Sequence, residues 1–142
     1  MLLFKESLAE LMSERKLTTL SLGAAIGVSA TTVHCWLTGK TKLFLSNAVK
    51  LVDYFECSLE FLLGNVATRL SFTPQICPPF YIRLKEIMKL QGKSSYRVVK
   101  DTPFSFGHFS KWRSGGDPYI ETLINLAAYF DCTLDYLVGR DI

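Results

Sequence analysis

At 142 residues and a formal charge of +3, the chain has the length of one ordinary domain or of two of about 65 residues. That net charge is too small to name a nucleic-acid partner by itself. The chain is 49% hydrophobic, yet no apolar run approaches the roughly 18 residues of a membrane helix, and the opening MLLF is too short for a secretory h-region before Lys5 and Glu6.

In chain order, Phe4, Leu8, Leu11 and Met12 are spaced i, i+4, i+7 and i+8, which predicts one apolar face of a helix ending near Arg15 and Lys16. Thr18 or Thr19 then caps a short helix through Leu22 and Ile26, and Gly27 breaks it. Ser29 starts a third helix reaching Leu37, closed by Thr38 and Gly39. Ser46 is expected to cap a fourth helix carrying Val49, Val52 and Phe55, and Ser58 a fifth, with Glu60 suited to the helix dipole. The segment NVATRLSFTPQICPPF that follows holds three prolines and no helical period, so it reads as a linker. Fully stretched, its 14 or so free residues span about 45 to 50 Å.

Beyond the linker the sequence repeats itself. A shift of 76 lays Phe4 on Phe80, Leu8 on Leu84, Leu11 on Ile87, Met12 on Met88, Val33 on Phe109, Trp36 on Trp112 and Gly39 on Gly115. The shift then becomes 75, and CSLEFLLG (residues 57 to 64) meets CTLDYLVG (residues 132 to 139). Pro78 and Pro79 precede the second copy's first helix, Ser94 and Ser95 cap its second, and Thr133 with Asp135 repeats the device of Ser58 and Glu60. Five short helices per copy and no strand signal predict an all-α chain of two tandem domains, 1–65 and 80–142, with a linker at 66–79.

The four cysteines, Cys35, Cys57, Cys77 and Cys132, make no C-x-x-C pair, and the only histidines are His34 and His108, so zinc ligation is not expected. Cys57 and Cys132 occupy matching places and read as small buried apolar groups. With no export signal, a reducing cytoplasm is the expected compartment. Residues 1 to 66 carry six basic and six acidic side chains, and residues 80 to 142 carry nine and seven.

The stretch LTTLSLGAAIGVSATTVHCWLTGK, residues 17 to 40, resembles the helix-turn-helix of Cro/CI-type (XRE-like) phage repressors. Gly23, Gly27, Val33, Trp36 and Gly39 stand where that family wants a small residue, a turn glycine, a β-branched residue, Trp and Gly. LEFLLG and LDYLVG resemble the family's closing helix. Gly27 permits the positive φ of a sharp turn, and Gly23 lets the two backbones approach. Val33 and Trp36 hold the second helix down so that its other face projects toward a major groove. The ordinary reading of Trp36 and Trp112 is core packing: they position the reading helix.

The resemblance implies base contacts from Ser29, Ala30, Thr31 and Cys35, with Thr32 and His34 nearer phosphates. It also implies backbone contacts from Lys40 and Lys42 and a phosphate contact from Thr19. Ser29 doubles as a helix cap, and the ordinary reading of each lysine is a solvated charge. Hydroxyls bond either base type, and Ala or a Thr methyl meets thymine's methyl. No Arg, Gln or Asn lies on this face, so direct readout is expected to be modest.

The second copy departs from the pattern. Val99 replaces the small residue and Pro103 the turn glycine, which fixes φ near −65° and pushes Thr102 out of helical geometry. The implied DNA-contacting residues there are Ser95, Ser105, Phe106, Gly107, His108, Lys111 and Arg113, with Lys100 nearby. Gly107 weakens the helix by about 1 kcal/mol relative to Ala. Phe106 suits either a thymine methyl or a domain–domain contact.

The expected function is sequence-specific binding of double-stranded DNA by a transcriptional regulator of repressor type, with two heads on one chain acting as a pseudo-dimer on unlike half-sites. A helical turn of about 34 Å separates paired reading helices, and the linker's reach exceeds it. A second copy or another protein stands open as a further partner; no membrane, small-molecule substrate, cofactor or metal is expected. Enzyme activity is not expected either: no Gly-rich phosphate loop is present, and both histidines fall inside helix-turn-helix segments. The alternative is a protein-interaction scaffold, antitoxin- or antirepressor-like. Leu2, Leu3, Leu43, Phe44, Val66, Leu70, Phe72 and Ile76 support it as an apolar surplus over two small cores, and suit a domain–domain seam or a homodimer contact equally.

Overall fold

The computed structural model describes residues 2–64 and 77–140. The chain divides into two compact units, Met1–Gln75 and Ile76–Ile142. The first contains α1 (Leu2–Glu14), α2 (Thr19–Ile26), α3 (Ala30–Thr38), α4 (Leu45–Phe55) and α5 (Leu59–Leu62). The second contains α6 (Phe80–Leu90), α7 (Ser95–Asp101), α8 (Phe106–Arg113), α9 (Ile120–Phe130) and α10 (Leu134–Leu137). No strand occurs among the described residues. The protein is all-α, two tandem five-helix domains, and no single described helix is long and apolar enough to cross a membrane. The expected linker falls almost wholly outside the described residues, as do Val66, Leu70, Phe72, Ile76 and the side chains of Leu2 and Leu3.

Local chemistry sets most helix ends. The hydroxyls of Thr18, Ser29, Ser58, Ser94 and Thr133 accept from the backbone N–H groups of Ser21, Thr32, Phe61, Arg97 and Tyr136 at 3.1 to 3.2 Å. Each thereby satisfies a donor that the first helical turn leaves open. Gly27 and Gly39 close α2 and α3 in the left-handed region, at φ 81° and 72°. Glu56 and Asp131 do the same for α4 and α9 at φ 53°, without glycine's freedom.

Two expectations are corrected. Ser46 does not cap α4: the helix begins at Leu45, and its N-cap is Phe44, with no side-chain cap bond. Burial fixes that start, because beginning at Leu45 sends Leu45, Ala48, Val52 and Phe55 into the core together. The matching α9 behaves alike, with Tyr119 as its N-cap and Ile120 fully buried. Leu43 is likewise no surplus residue, being fully buried in the first core.

Each core is closed by its first and last helices. In the first unit Phe4, Leu8 and Leu11 of α1 are buried, as are Leu59 and Leu62 of α5, and α1 packs against both α3 and α5. In the second, Phe80, Leu84 and Ile87 of α6 and Leu134 and Leu137 of α10 take these places. Cys57 is buried as expected, whereas Cys132 is only half-buried. Asp135, expected merely to favour the helix dipole, is itself buried and pairs with the fully buried Arg140, Nε to Oδ1 at 3.5 Å.

Candidate nucleic-acid interface

In the first unit, α2 and α3 meet at a bend of 116°, within the range of a helix-turn-helix. Gly27 makes the turn at φ 81°. Gly23 makes the approach: a Cβ there would lie 2.6 Å from the Val28 carbonyl oxygen and 3.3 Å from the Ser29 carbonyl carbon. Val33 and Trp36 are buried on the inner side of α3, with the Trp36 ring edge-on to Phe4 at 6.5 Å.

What remains outside is the candidate reading face. Ser29, Thr31 and His34 are exposed; Ala30, Thr32 and Cys35 are half-buried. Ser29 is indeed an N-cap, and its hydroxyl also meets the Thr32 hydroxyl at 2.8 Å. That pair braces the helix start and leaves Thr31 and His34 as the freer polar tips. Helical spacing adds Thr38, exposed one turn after His34, whose hydroxyl donates to the His34 carbonyl at 3.0 Å. The i, i+3, i+4 rule would have found it. Lys40 and Lys42 are exposed just beyond α3, and Thr19 is half-buried as the first residue of α2, the capping role falling to Thr18.

The second unit builds its turn differently. Thr102 ends α7 in extended geometry, φ −126° and ψ 165°, as the following Pro103 requires. Its hydroxyl donates to the Val98 carbonyl at 2.6 Å and accepts from the Phe104 N–H at 3.3 Å. Phe104 is buried and packs edge-on against Trp112 at 5.7 Å. The turn is therefore hydrogen-bonded and anchored by an apolar side chain, which a reading of Pro103 alone does not suggest.

Phe109 and Trp112 are buried on the inner side of α8, and Trp112 also meets Phe80 at 5.4 Å. Ser105, Phe106, Gly107, Lys111 and Arg113 are exposed on the outer side, Phe106 by 53%. Ser110, which matches His34, is exposed with them. Ser95 is half-buried as the first residue of α7, because Ser94 is the cap. His108 turns back toward the helix start: its Nδ1 accepts from the Ser105 N–H at 3.0 Å, and its ring tilts over Trp112 at 5.8 Å.

A network absent from the first copy ties α7 to α9. Asp101 accepts from the Tyr129 hydroxyl at 2.7 Å and from Arg97 Nε at 2.8 Å. The Tyr129 hydrogen bond and the Arg97 guanidinium hold the Asp101 carboxyl below the usual carboxylate range. Burial and the same hydrogen bond push the Tyr129 hydroxyl up. The residue matching Asp101 in the first copy is Ala25.

Among the described residues no group of His, Cys, Asp and Glu is arranged to hold a metal ion. The model of the Cro/C1-type HTH DNA-binding domain matches this chain twice, over residues 7–67 and 83–140. No curated protein and no solved structure matches it. Two matches covering most of the chain, each on a unit with the helix order and turn just described, settle the family: the chain belongs to the Cro/C1-type helix-turn-helix DNA-binding family and carries its domain twice in tandem.

Proposed function

We propose that this protein is a sequence-specific transcriptional regulator of repressor type whose two domains read double-stranded DNA as a covalent pseudo-dimer. One observation carries the reading. In both copies the reading helix is pinned from behind by an apolar pair, Val33 and Trp36 or Phe109 and Trp112, while its opposite face stays exposed. A helix fixed on one side and polar on the other is the form that enters a major groove.

In this reading Ser29, Ala30, Thr31 and Cys35 of the first head serve base edges, Thr32 and His34 face phosphates, and Lys40 and Lys42 serve the backbone. The second head offers Phe106, Ser110 and Lys111 at the matching positions, with Arg113 and Lys100 adding positive charge. Because these sets differ, the target consists of two unlike half-sites. Tethering places the second head at roughly millimolar local concentration once the first has docked.

Selection from a random pool of duplexes tests this directly. Two dissimilar conserved blocks about one helical turn apart are expected. A single block would refute the pseudo-dimer, and no enrichment would refute the regulator.

The outer face of α6 favours a second reading for the second domain. Ile82 and Leu90 are exposed there, by 55% and 72%, where the first copy holds Glu6 and Glu14. Such a replacement of charge by apolar surface suits a protein partner. Binding that barely changes with salt would favour it, since DNA binding weakens with a log–log slope of about −0.9 per phosphate neutralised.

A further inference from the structure

We propose that His108 is a positioning residue: as a neutral acceptor it fixes the start of the second reading helix, so that head's grip on DNA weakens as the pH falls. The inference rests on the reading of α8 as a DNA-contacting helix, and extends it to how that helix is regulated.

Ser105 is the N-cap of α8, and its backbone N–H donates to His108 Nδ1 at 3.0 Å, with the Ser105 hydroxyl 3.1 Å from the same nitrogen. An imidazole accepts at one nitrogen only when neutral, with its proton on the other; a protonated ring has two donors and no acceptor. The ring also lies 5.5 Å from Phe104 of the turn and 5.8 Å from Trp112, the buried anchor of α8. One side chain thus joins the turn, the helix start and the helix anchor.

Protonation breaks the link to the helix start. The Ser105 N–H loses its acceptor, and a positive charge arises at the helix N-terminus, where the macrodipole is already positive. The Phe104 and Trp112 rings, 5.5 and 5.8 Å away, attract that charge, against the lost acceptor and the dipole. The charged groups on α8 itself are Lys111 and Arg113, both basic. On α7 they are Arg97, Lys100 and Asp101, and the Asp101 carboxylate is taken by Arg97 and Tyr129. On α6 they are Arg83, Lys85, Glu86 and Lys89, with Glu86 3.8 Å from Arg83.

The first copy supplies a control within the same chain. Thr32 occupies the matching position, and its contacts to Ser29 run through hydroxyls and a backbone N–H, none of which titrates in this range. Loss of that acceptor on protonation, between about pH 8 and 5, therefore loosens the start of α8 and leaves the start of α3 as it is. His34, the first head's own imidazole, lies on the α3 reading face and is removed in the DNA arm of the test.

The test uses the full chain in two arms. Without DNA, ¹⁵N NMR of the His108 ring and amide exchange across residues 105 to 109 are followed from pH 8 to 5. The expected result is an Nε2–H tautomer at pH 8 and protection that falls about fivefold on acidification, the size of a typical cap. His108→Gln keeps an acceptor that does not titrate and should hold its protection flat; His108→Ala should be weakly protected at every pH. With DNA, and with His34→Gln in every chain, affinity for duplexes selected by that chain at pH 8 should fall about fivefold on acidification and stay level when His108→Gln is added.

Protection that does not fall, or falls equally in His108→Gln, overturns the proposal. So does DNA affinity that rises on acidification, which would make the ring a phosphate contact. If protection falls and affinity ignores pH, the regulatory claim is overturned because α8 does not grip DNA; the cap itself then stands, and the two failures are told apart.

Discussion

Replacing Gly23 by alanine asks how closely α2 and the turn must approach. The added methyl would stand 2.6 Å from the Val28 carbonyl oxygen, 3.3 Å from the Ser29 carbonyl carbon and 3.4 Å from the Ala30 nitrogen. All three are backbone atoms, so no rotamer change relieves the contact. Retreat from 2.6 Å to a barely tolerable 3.0 Å moves the carbonyl by 0.4 Å, and the atoms that move are those leading into α3. Overpacking of this kind costs about 1–3 kcal/mol, and alanine's better helix propensity returns up to about 1 kcal/mol. The net loss is about 1–2 kcal/mol, which in a domain of this size lowers the melting temperature by about 5–15 °C.

Gly27→Ala is the partner experiment. No atom lies within 4 Å of a Cβ there, but φ is +81°, so the cost is backbone strain of about 1–2 kcal/mol with no steric push on α3. Trp36 reports on the first unit alone once Trp112 is replaced by phenylalanine, so thermal unfolding followed by tryptophan fluorescence measures both variants in that background. DNA affinity is then compared at a temperature where both are folded. Both should melt early, and only Gly23→Ala should lose affinity beyond its loss of folded protein. A Gly23→Ala variant as stable as its parent, or equal affinity losses in the two, would refute the close-approach reasoning.

Other outcomes follow from single contacts. Lys40→Gln should lower DNA affinity by a similar factor on every sequence and reduce the salt slope by about 0.9, whereas Thr31→Ala should change which bases are preferred; salt-titrated binding curves and a repeated duplex selection separate the two. Asp135→Ala removes the buried carboxylate that pairs with Arg140 and should destabilise the second domain in denaturant unfolding, by at most about 3–5 kcal/mol. Tyr129→Phe removes the leading cause of the lowered Asp101 pKa, so that carboxyl should titrate closer to the ordinary range in a carboxyl-resolved NMR titration. The sign is fixed: a carboxyl whose pKa is lowered on folding adds stability above the unfolded value and loses it as the pH drops toward the folded one. The variant should therefore lose less stability than wild type across that acid range.

The helix caps were legible in the sequence because a cap is a contact over three residues. Thr18, Ser29, Ser58, Ser94 and Thr133 each bond the N–H three positions on, and Gly27 and Gly39 declare their turns by residue type alone. Ser46 misled for the same reason: its hydroxyl resembles a cap locally, but burial of Leu45 decides where α4 starts. Contacts across the fold were invisible. The Asp101–Tyr129 bond spans 28 residues, and Leu43 looks like surplus until the core closes around it. On the reading faces, types and spacing placed Thr31 and Lys111 outside, while the fold-back of His108 needed the position of Phe104 and Trp112.

The turn of the second copy looks like a degraded first copy when its residues are taken singly. Taken together they form an alternative. A valine at 99 cannot accept the backbone approach that Gly23 accepts, so the tight glycine turn is closed to this copy whatever residue stands at 103. An extended Thr102 followed by Pro103 leaves α7 without any left-handed residue, and the Thr102 hydroxyl bridges the Val98 carbonyl and the Phe104 N–H. Phe104 then fills the space before Trp112, where the first copy has only the half-buried Val28. Restoring one member alone, as in Pro103→Gly, should loosen this turn, because Val99 still bars the close approach and the freed backbone gains nothing to pack against. Restoring both, Val99→Gly with Pro103→Gly, should recover part of that loss. Chemical denaturation of the two variants, read through Trp112 with Trp36 replaced by phenylalanine, decides the matter: purely additive losses would mean that the two changes are independent and that the second turn is a weakened copy of the first.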